Sequence, residues 1–144
     1  MPGDVVATRA KVQQYLTQNF SDVNVDSDGD YSLRLGSTRI FVMVRTRDEI
    51  DFTTVTLEVP LLRHVKETPA VFEYIALHGD DYLFGRFAAK RSDEGLVILF
   101  SHVLLGDYLD EAELGMAVGG MLSVADNLDD ELLKQFGGDR FHGD

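Results

Sequence analysis

The sequence of 144 residues contains no cysteine and no tryptophan, and it has only three prolines. The absence of cysteine excludes a disulfide framework and thiol chemistry, and it removes the ligands that most structural zinc sites use. A chain without thiols is typical of proteins in a reducing compartment, so we expect a cytoplasmic location.

Long apolar runs are also missing. The longest apolar stretch, LVILFSHVLLG (96–106), is too short to span a bilayer and is interrupted by Ser101 and His102. The first residues, MPGDVVATRAK, show no apolar core of a secretory signal. We therefore expect neither a membrane-spanning protein nor a substrate of the general secretory route.

Basic residues are scarce, above all near the C-terminus. Residues 1–91 hold 11 of the 13 Lys/Arg and 13 of the 25 Asp/Glu, whereas residues 92–144 hold 2 and 12. The net charge of −12 is therefore concentrated in the last third of the chain. Such a surface repels phosphate backbones, so nucleic acid is not an expected partner. The acidic surface favours either solubility alone or recruitment of a basic partner.

The hydrophobic pattern predicts an α+β fold with an antiparallel sheet, in the element order α-ββββ-α-ββ-α. Apolar residues recur at helical spacing near both ends of the chain, and alternating runs separated by turn residues lie between them. Asp4 and Asp110 stand where helix-capping residues are expected. The predicted apolar stripe of the last helix is Leu114, Val118, Met121, Leu122, Ala125, Leu128 and Leu132. The predicted elements are a helix over 5–19, strands over 22–26, 30–36, 38–46 and 52–62, a helix over 69–78, strands over 82–91 and 96–105, and a helix from 111 to Gly137-Gly138. No linker or repeat interrupts the pattern, so we expect one domain over residues 1–144.

The stretch VNVDSDGDYSLRL (23–35) offers two interpretations. Asn24, Asp26, Asp28 and Gly29 stand where a calcium-binding EF-hand loop places oxygen ligands and its glycine. The twelfth position, which should be a bidentate Glu, is Leu35, and the flanking residues alternate as strands do. The pattern favours a β-hairpin that turns at Asp-Gly.

The four histidines have structural explanations. His78 stands at a predicted helix C-terminus, His142 near the end of the chain and His64 after a strand. His102 alternates with apolar residues on one strand face and is predicted to be a core histidine. Its neighbour Ser101 is not part of a catalytic triad, because adjacent strand residues point to opposite faces.

Other catalytic signatures are equally weak. The glycines of GMAVGG (115–120) lie inside a predicted helix and not in a phosphate-binding loop between strand and helix. Acid pairs such as Asp80-Asp81 and Asp129-Asp130 carry little information in a chain with 25 acids, and we expect them at the surface. The sequence predicts no catalytic residue, no metal ligand and no cofactor, and hence a non-enzymatic protein.

Two surfaces are candidates for binding, and the first is a sheet face. In TRIFVMVRTR (38–47), three aliphatic side chains form one face of the strand, and Arg39, Phe41, Met43 and Arg45 form the other. Strand 96–105 is apolar on both faces as well. Either the three helices divide between the two sheet faces, or a partner chain or client peptide covers one of them.

The second surface is a small-residue ridge formed by Ala112, Gly115, Gly119 and Ser123 on the last helix. Glycine lowers helix stability, so a close neighbour should compensate for it. That neighbour is either the protein's own sheet or the same helix of a second copy. Together with strand 96–105, the ridge leads us to expect a homodimer.

The C-terminal half carries a family resemblance. Residues 82–138, above all FSHVLLGDYLDEAELGMAVGGMLSVADNLDDELLKQFGG, resemble the C-terminal half of the YbjN-like proteins, which are grouped with the type III secretion chaperone-like (CesT-type) fold. The resemblance implies a small, acidic, often homodimeric α+β protein without cofactors. Secretion chaperones of this fold hold unfolded client segments across apolar patches. The N-terminal meander contains no motif of the family.

The resemblance and the two surfaces together predict a non-enzymatic, peptide- or protein-binding chaperone-like or adaptor protein. A YbjN-type regulatory or stress-response protein that acts through one folded protein partner is the alternative from a different class. An enzyme with an unrecognised acidic site is the third alternative. An exposed hydrophobic groove would favour the first interpretation, a flat charged patch the second, and converging carboxylates with raised pKa in a cleft the third.

Overall fold

Three helices and seven strands make up the part of the chain that the computed structural model describes, residues 3–142. Their order confirms the predicted α+β fold, with one short strand added at the end. The elements are α1 Val5–Asn19, β1 Asn24–Val25, β2 Tyr31–Leu35, β3 Thr38–Arg47, β4 Phe52–Val65, α2 Pro69–His78, β5 Arg86–Ser92, β6 Gly95–Leu105, α3 Glu111–Phe136 and β7 Asp139–Arg140.

The helices begin where the sequence places capping residues. Asp4 Oδ1 accepts a hydrogen bond from the Ala7 amide at 3.0 Å, and Asp110 Oδ1 accepts one from the Glu113 amide at 2.8 Å. Each carboxylate satisfies an amide that has no partner within its helix. In α2, Pro69 occupies the first turn, where a missing N–H costs nothing. No helix within residues 3–142 has the length and apolar character needed to cross a membrane.

The sheet is antiparallel, with the strand order β1-β2-β3-β4-β6-β5. The first four strands form the predicted meander, β5 and β6 form a hairpin, and β6 pairs with the long central strand β4. Strand β7 pairs with the second half of β4, opposite Leu62 and Arg63. The central strands β3, β4 and β6 therefore provide the widest continuous surface of the sheet.

All three helices cover the same face of this sheet. One hydrophobic core joins the aliphatic side chains of β3, β4 and β6 to α1, α2 and α3. In α2, Tyr74 contacts both Phe87 of β5 and Phe136 of α3, which places α2 beside α3. The apolar stripe of α3 is buried as predicted, at Leu114, Val118, Met121, Leu122, Ala125, Leu128 and Leu132. The helices do not divide between the two sheet faces, so of the two alternatives left open by the sequence, the one in which they cover both faces is wrong.

The Asp-Gly turn joins β1 and β2 as a hairpin. Gly29 has φ +84°, and its amide donates to the Asp26 carbonyl at 3.1 Å. The Asp26 side chain accepts hydrogen bonds from the Asp28 and Asp30 amides at 2.9 and 3.0 Å. A carboxylate turned toward its own backbone amides is typical of a turn that the side chain stabilises.

Several strand boundaries differ from the prediction by a few residues, and two differences are larger. Strand β5 begins at residue 86 and not at 82, because residues 82–85 bend and pack Tyr82 and Phe84 against the core. Gly85 ends this bend with φ +101°, and a side chain there would overlap the Phe100 ring. Strand β7 was not predicted, because Asp139-Arg140 has no alternating apolar pattern.

Candidate functional site

The side of the sheet opposite the helices is called the open face here. On this side lie the residues that alternate with the core positions of β2, β3, β4 and β6. They are Ser32, Arg34, Arg39, Phe41, Met43, Arg45, Arg47, Phe52, Thr54, Thr56, Glu58, Pro60, Val97, Leu99, Ser101, Val103 and Leu105. No helix within residues 3–142 packs against them, so strand residues alone form the surface of the candidate site.

Apolar side chains line both flanks of the open face. Phe41 and Met43 of β3 are half-buried, whereas Val103 and Leu105 of β6 are 57% and 49% exposed. In register, Met43 and Val103 lie on either side of Thr56. Because neighbouring strands are about 4.8 Å apart, the two apolar rows are separated by roughly 10 Å. The result is a shallow surface with a polar centre and two apolar borders.

The arginines of the open face have unequal roles. Arg45 forms a two-pronged ion pair with Asp30, with nitrogen to oxygen distances of 2.6 and 2.9 Å. This hydrogen bonding lowers the pKa of the buried Asp30 carboxyl. Arg39 donates to Ser32 Oγ at 2.9 Å, and Arg34 donates to the Gly36 carbonyl at 3.2 Å. Within residues 3–142, Arg45 is therefore engaged with an acid, while Arg34 and Arg39 bind only neutral oxygens.

Residues 137–142, called the C-terminal segment here, lie at one corner of the open face. The Phe141 amide donates to the Leu61 carbonyl of β4 at 3.0 Å, and the His142 ring lies 5.9 Å from the Phe41 ring. Burial lowers the pKa of His142, and the positive charges of Arg39, Arg34 and Arg63 lower it further. This corner therefore combines an aromatic surface with three arginines.

Two sets of polar contacts hold this segment in place. His64, at φ +60° in a bulged part of β4, lies between two carboxylates: Nδ1 is 2.8 Å from Asp139 Oδ2 and Nε2 is 2.7 Å from Glu94 Oε2. These hydrogen bonds, to Asp139 first and to Glu94 second, raise the pKa of His64. Arg140 forms an ion pair with Asp130 of α3. The segment is thus tied to β4, to the β5–β6 turn and to α3.

The acid pair Asp129-Asp130 is not wholly at the surface, contrary to our expectation. Asp129 is 1% exposed and accepts a hydrogen bond from Ser37 Oγ at 2.5 Å. Burial raises the pKa of this carboxyl. Asp129 therefore joins α3 to the β2–β3 turn, while Asp130 contacts Arg140 in the C-terminal segment.

The small-residue ridge of α3 does not face the sheet. Ala112 and Ser123 are exposed, and nothing lies within 4 Å of the position that a Gly119 side chain would occupy. The ridge instead borders an open groove of about 480 Å³ that Leu83, Phe84 and Met116 also line. The interpretation that the protein's own sheet packs on this ridge is therefore wrong.

In the part of the chain that the structure describes, the remaining polar groups form no recognisable catalytic arrangement. His102 is half-buried, accepts a hydrogen bond from the Gly85 amide at 3.2 Å and contacts the edge of Phe84. Burial lowers its pKa, as expected for a core histidine. Among the residues described, no three His, Asp or Glu side chains are grouped as metal ligands. The open face offers apolar contacts and hydrogen-bond donors, which suit binding.

The fold and the open face define a small α+β protein with one helix-covered and one uncovered sheet face. Residues 7–144 match the family model described as T3SS (YopN, CesT) and YbjN peptide-binding chaperone 1. The chain belongs to this family, and the family resemblance of the C-terminal half is confirmed. The match extends over the N-terminal meander as well, where the sequence showed no motif.

Two solved structures share the fold, and one of them contains a type III secretion chaperone. The chain is similar to one in the ExsC–ExsE complex, with a TM-score of 0.61, 13% identity, and coverage of 90% of this chain and 96% of that one. It is also similar to one in the complex of the Yersinia pestis chaperone SycH with a YscM2 fragment, with a TM-score of 0.56, 7% identity, and coverage of 84% and 98%. A comparison with curated protein sequences gave no match.

The pKa values of His64 and His142 should be shifted in opposite directions from the usual value. We expect NMR titration to show the pKa of His64 above the usual value of about 6.5 and that of His142 below it. Since folding raises the pKa of His64, its contribution to stability is complete below about pH 6.5 and is lost as the pH rises through the folded-state pKa.

An Asp139→Asn variant should lower the pKa of His64, because it removes the carboxylate with the larger effect. Asp93→Asn, an exposed acid in the β5–β6 turn, is the matched control and should leave this pKa unchanged. An unaltered His64 titration in Asp139→Asn would contradict the contact.

Proposed function

We propose that the protein is a non-enzymatic, cytoplasmic peptide-binding chaperone or adaptor that holds an extended client segment on its open face. The observation that carries this proposal is the one-sided packing of the helices, which leaves apolar side chains of β3 and β6 uncovered. Membership in a peptide-binding chaperone family supports it. The proposed site comprises the predicted residues Arg39, Phe41 and Met43. The fourth predicted residue, Arg45, is paired with Asp30 beside them.

The shape of the open face suits an extended segment. Successive side chains of an extended chain point to opposite sides, so every second client residue would contact the sheet. Phe41 and Met43 are two residues apart on β3, as are Val103 and Leu105 on β6, and each pair matches this spacing. An aromatic ring and a thioether adapt to client side chains of varied shape.

We further propose a homodimer in which α3 contributes the small-residue ridge. Met116 and Leu83 beside the ridge are 63% and 81% exposed and line the same groove, so together they form an apolar patch of the kind that marks interfaces. The open space at Gly119 permits close approach of another backbone. The client surface and the dimer surface would then lie on different sides of the molecule.

Replacing Phe41 by Ser and Met43 by Thr should weaken client binding without loss of the fold. The open face lies opposite the core, so circular dichroism and the melting temperature should change little. Loss of two apolar anchors should reduce binding by about 1–3 kcal/mol. The measurement is a titration with a client recovered from native lysate by affinity capture and tested as an unfolded segment.

The matched control is Val25→Ser with Leu35→Thr, which removes two exposed apolar residues from the other side of the sheet. This control should bind normally. Unchanged binding by the Phe41/Met43 variant would exclude the open face, and a large fall in its melting temperature would show that these residues are core. A client that binds only when folded would favour the regulatory alternative.

The dimer proposal predicts that Gly119→Gln yields a monomer. Within residues 3–142 nothing lies within 4 Å of the Cβ that the new residue adds, and replacing a helical glycine should stabilise the fold by about 0.5–1 kcal/mol. Light scattering at micromolar concentration should give twice 16.1 kDa for the original chain and 16.1 kDa for the variant. Asn127→Gln, at an exposed position of α3, is the control and should remain dimeric. A parent chain that is monomeric at every concentration would refute the dimer, and a dimeric Gly119→Gln variant would exclude the ridge.

A further inference from the structure

The open face carries the opposite charge to the rest of the chain. Among its residues, Arg34, Arg39, Arg45 and Arg47 are basic and only Glu58 is acidic. The chain as a whole has a net charge of −12. A concentration of cations on one face of an acidic protein creates a local potential that attracts anionic groups.

Arg34 and Arg39, which have no acidic partner within residues 3–142, lie together at one end of this face. The ion pair with Asp30 neutralises Arg45. Arg47 donates to Thr54 Oγ1 and lies beside the acidic β3–β4 turn, which contains Asp48, Glu49 and Asp51. Arg34 and Arg39 are paired in register on β2 and β3, and in residues 3–142 neither forms an ion pair. Arg63 is the third arginine at this corner, because its charge lowers the pKa of His142 together with the charges of Arg34 and Arg39. In the described part of the chain, positive charge without an acidic partner therefore lies beside Phe41, at the corner where His142 lies.

A second copy of the chain does not fit this face. Two open faces brought together around a two-fold axis would place surfaces of the same charge against each other, which opposes association. Nucleic acid fits poorly as well, because the charge of −12 on the whole chain repels a long phosphate backbone. An acidic segment of a polypeptide matches both the cations and the apolar rows.

We infer that the open face selects extended client segments in which an acidic residue alternates with apolar ones, with the carboxylate bound at Arg34 and Arg39 and the apolar side chains on Phe41 and Met43. This inference rests on the proposed function and specifies its client. Positions 39, 41 and 43 follow one another at every second residue of β3. A matching client therefore has the pattern acid-x-apolar-x-apolar, because alternate residues of an extended chain face the same side. A guanidinium binds a carboxylate through two parallel hydrogen bonds, which is stronger than a neutral contact.

The test uses three fluorescein-labelled peptides of about twelve residues with the same apolar residues at alternate positions. The first carries Glu at the acidic positions, the second Gln and the third Lys. The original chain should bind the Glu peptide about tenfold more tightly than the Gln peptide, a difference of about 1.4 kcal/mol, and the Lys peptide most weakly. The preference for Glu should fall as salt rises, because the charges are exposed.

Arg34→Gln with Arg39→Gln should bind the Glu and Gln peptides equally and should retain the melting temperature, since only hydrogen bonds to neutral oxygens are lost. Lys66→Gln with Lys134→Gln makes the same change in net charge at exposed positions outside the open face and should keep the preference for Glu. Equal binding of all three peptides, or a Glu preference that persists in the arginine variant, would overturn the inference while leaving the proposed function intact.

Failure of the proposed function gives a different result. None of the three peptides would then bind, either to the original chain or to the Phe41/Met43 variant. A fluorescein-labelled single-stranded oligonucleotide that binds as tightly as the Glu peptide, and loses binding in the arginine variant, would show that the cations recognise phosphate and would overturn the assignment to a peptide.

Discussion

Packing of α1, α2 and α3 against a single sheet face is the constraint on which the rest of the molecule depends. The three helices supply one complete core with β3, β4 and β6, and within residues 3–142 no further helix remains for the other face. Burial of apolar surface is the main stabilising contribution to a fold of this size, and one face is enough to provide it. The second face can therefore carry side chains chosen for contacts with another molecule.

The short C-terminal segment extends this arrangement to the edge of the open face. Gly137 and Gly138 have φ +74° and +80°, which lets the chain leave α3 and return to β4. A side chain at Gly138 would collide with the Arg63 carbonyl, so this close approach requires glycine. The contacts of His64 and Arg140 then hold the segment where Phe41, Arg34 and Arg39 lie.

Most of the fold could be predicted from local patterns. The capping residues Asp4 and Asp110, the alternation in β3 and the apolar stripe of α3 each depend on residues close in sequence, and each is found as expected. The family resemblance came from the C-terminal half alone, and the family match covers residues 7–144.

Features that depend on distant residues were missed. Whether helices cover one sheet face or both is decided by how α2 packs beside α3, and no local pattern contains that information. Sequence alternation placed Arg39 and Arg45 on the same face but could not show that Asp30 engages only Arg45. Arg34 and Arg63 join the site through strand pairing and the return of the C-terminal segment, and Asp129 is buried by the β2–β3 turn.

The central claim is that the open face, and not the α3 ridge, binds the client. Backbone amide NMR shifts of the labelled protein, followed during titration with the acid-apolar peptide, test this claim most directly. The account predicts that shifts change at Met43, Thr56 and Val103 across the open face, while the amides of residues 112–123 keep their positions. Changes confined to residues 112–123, with those of β3 and β6 unaffected, would contradict it.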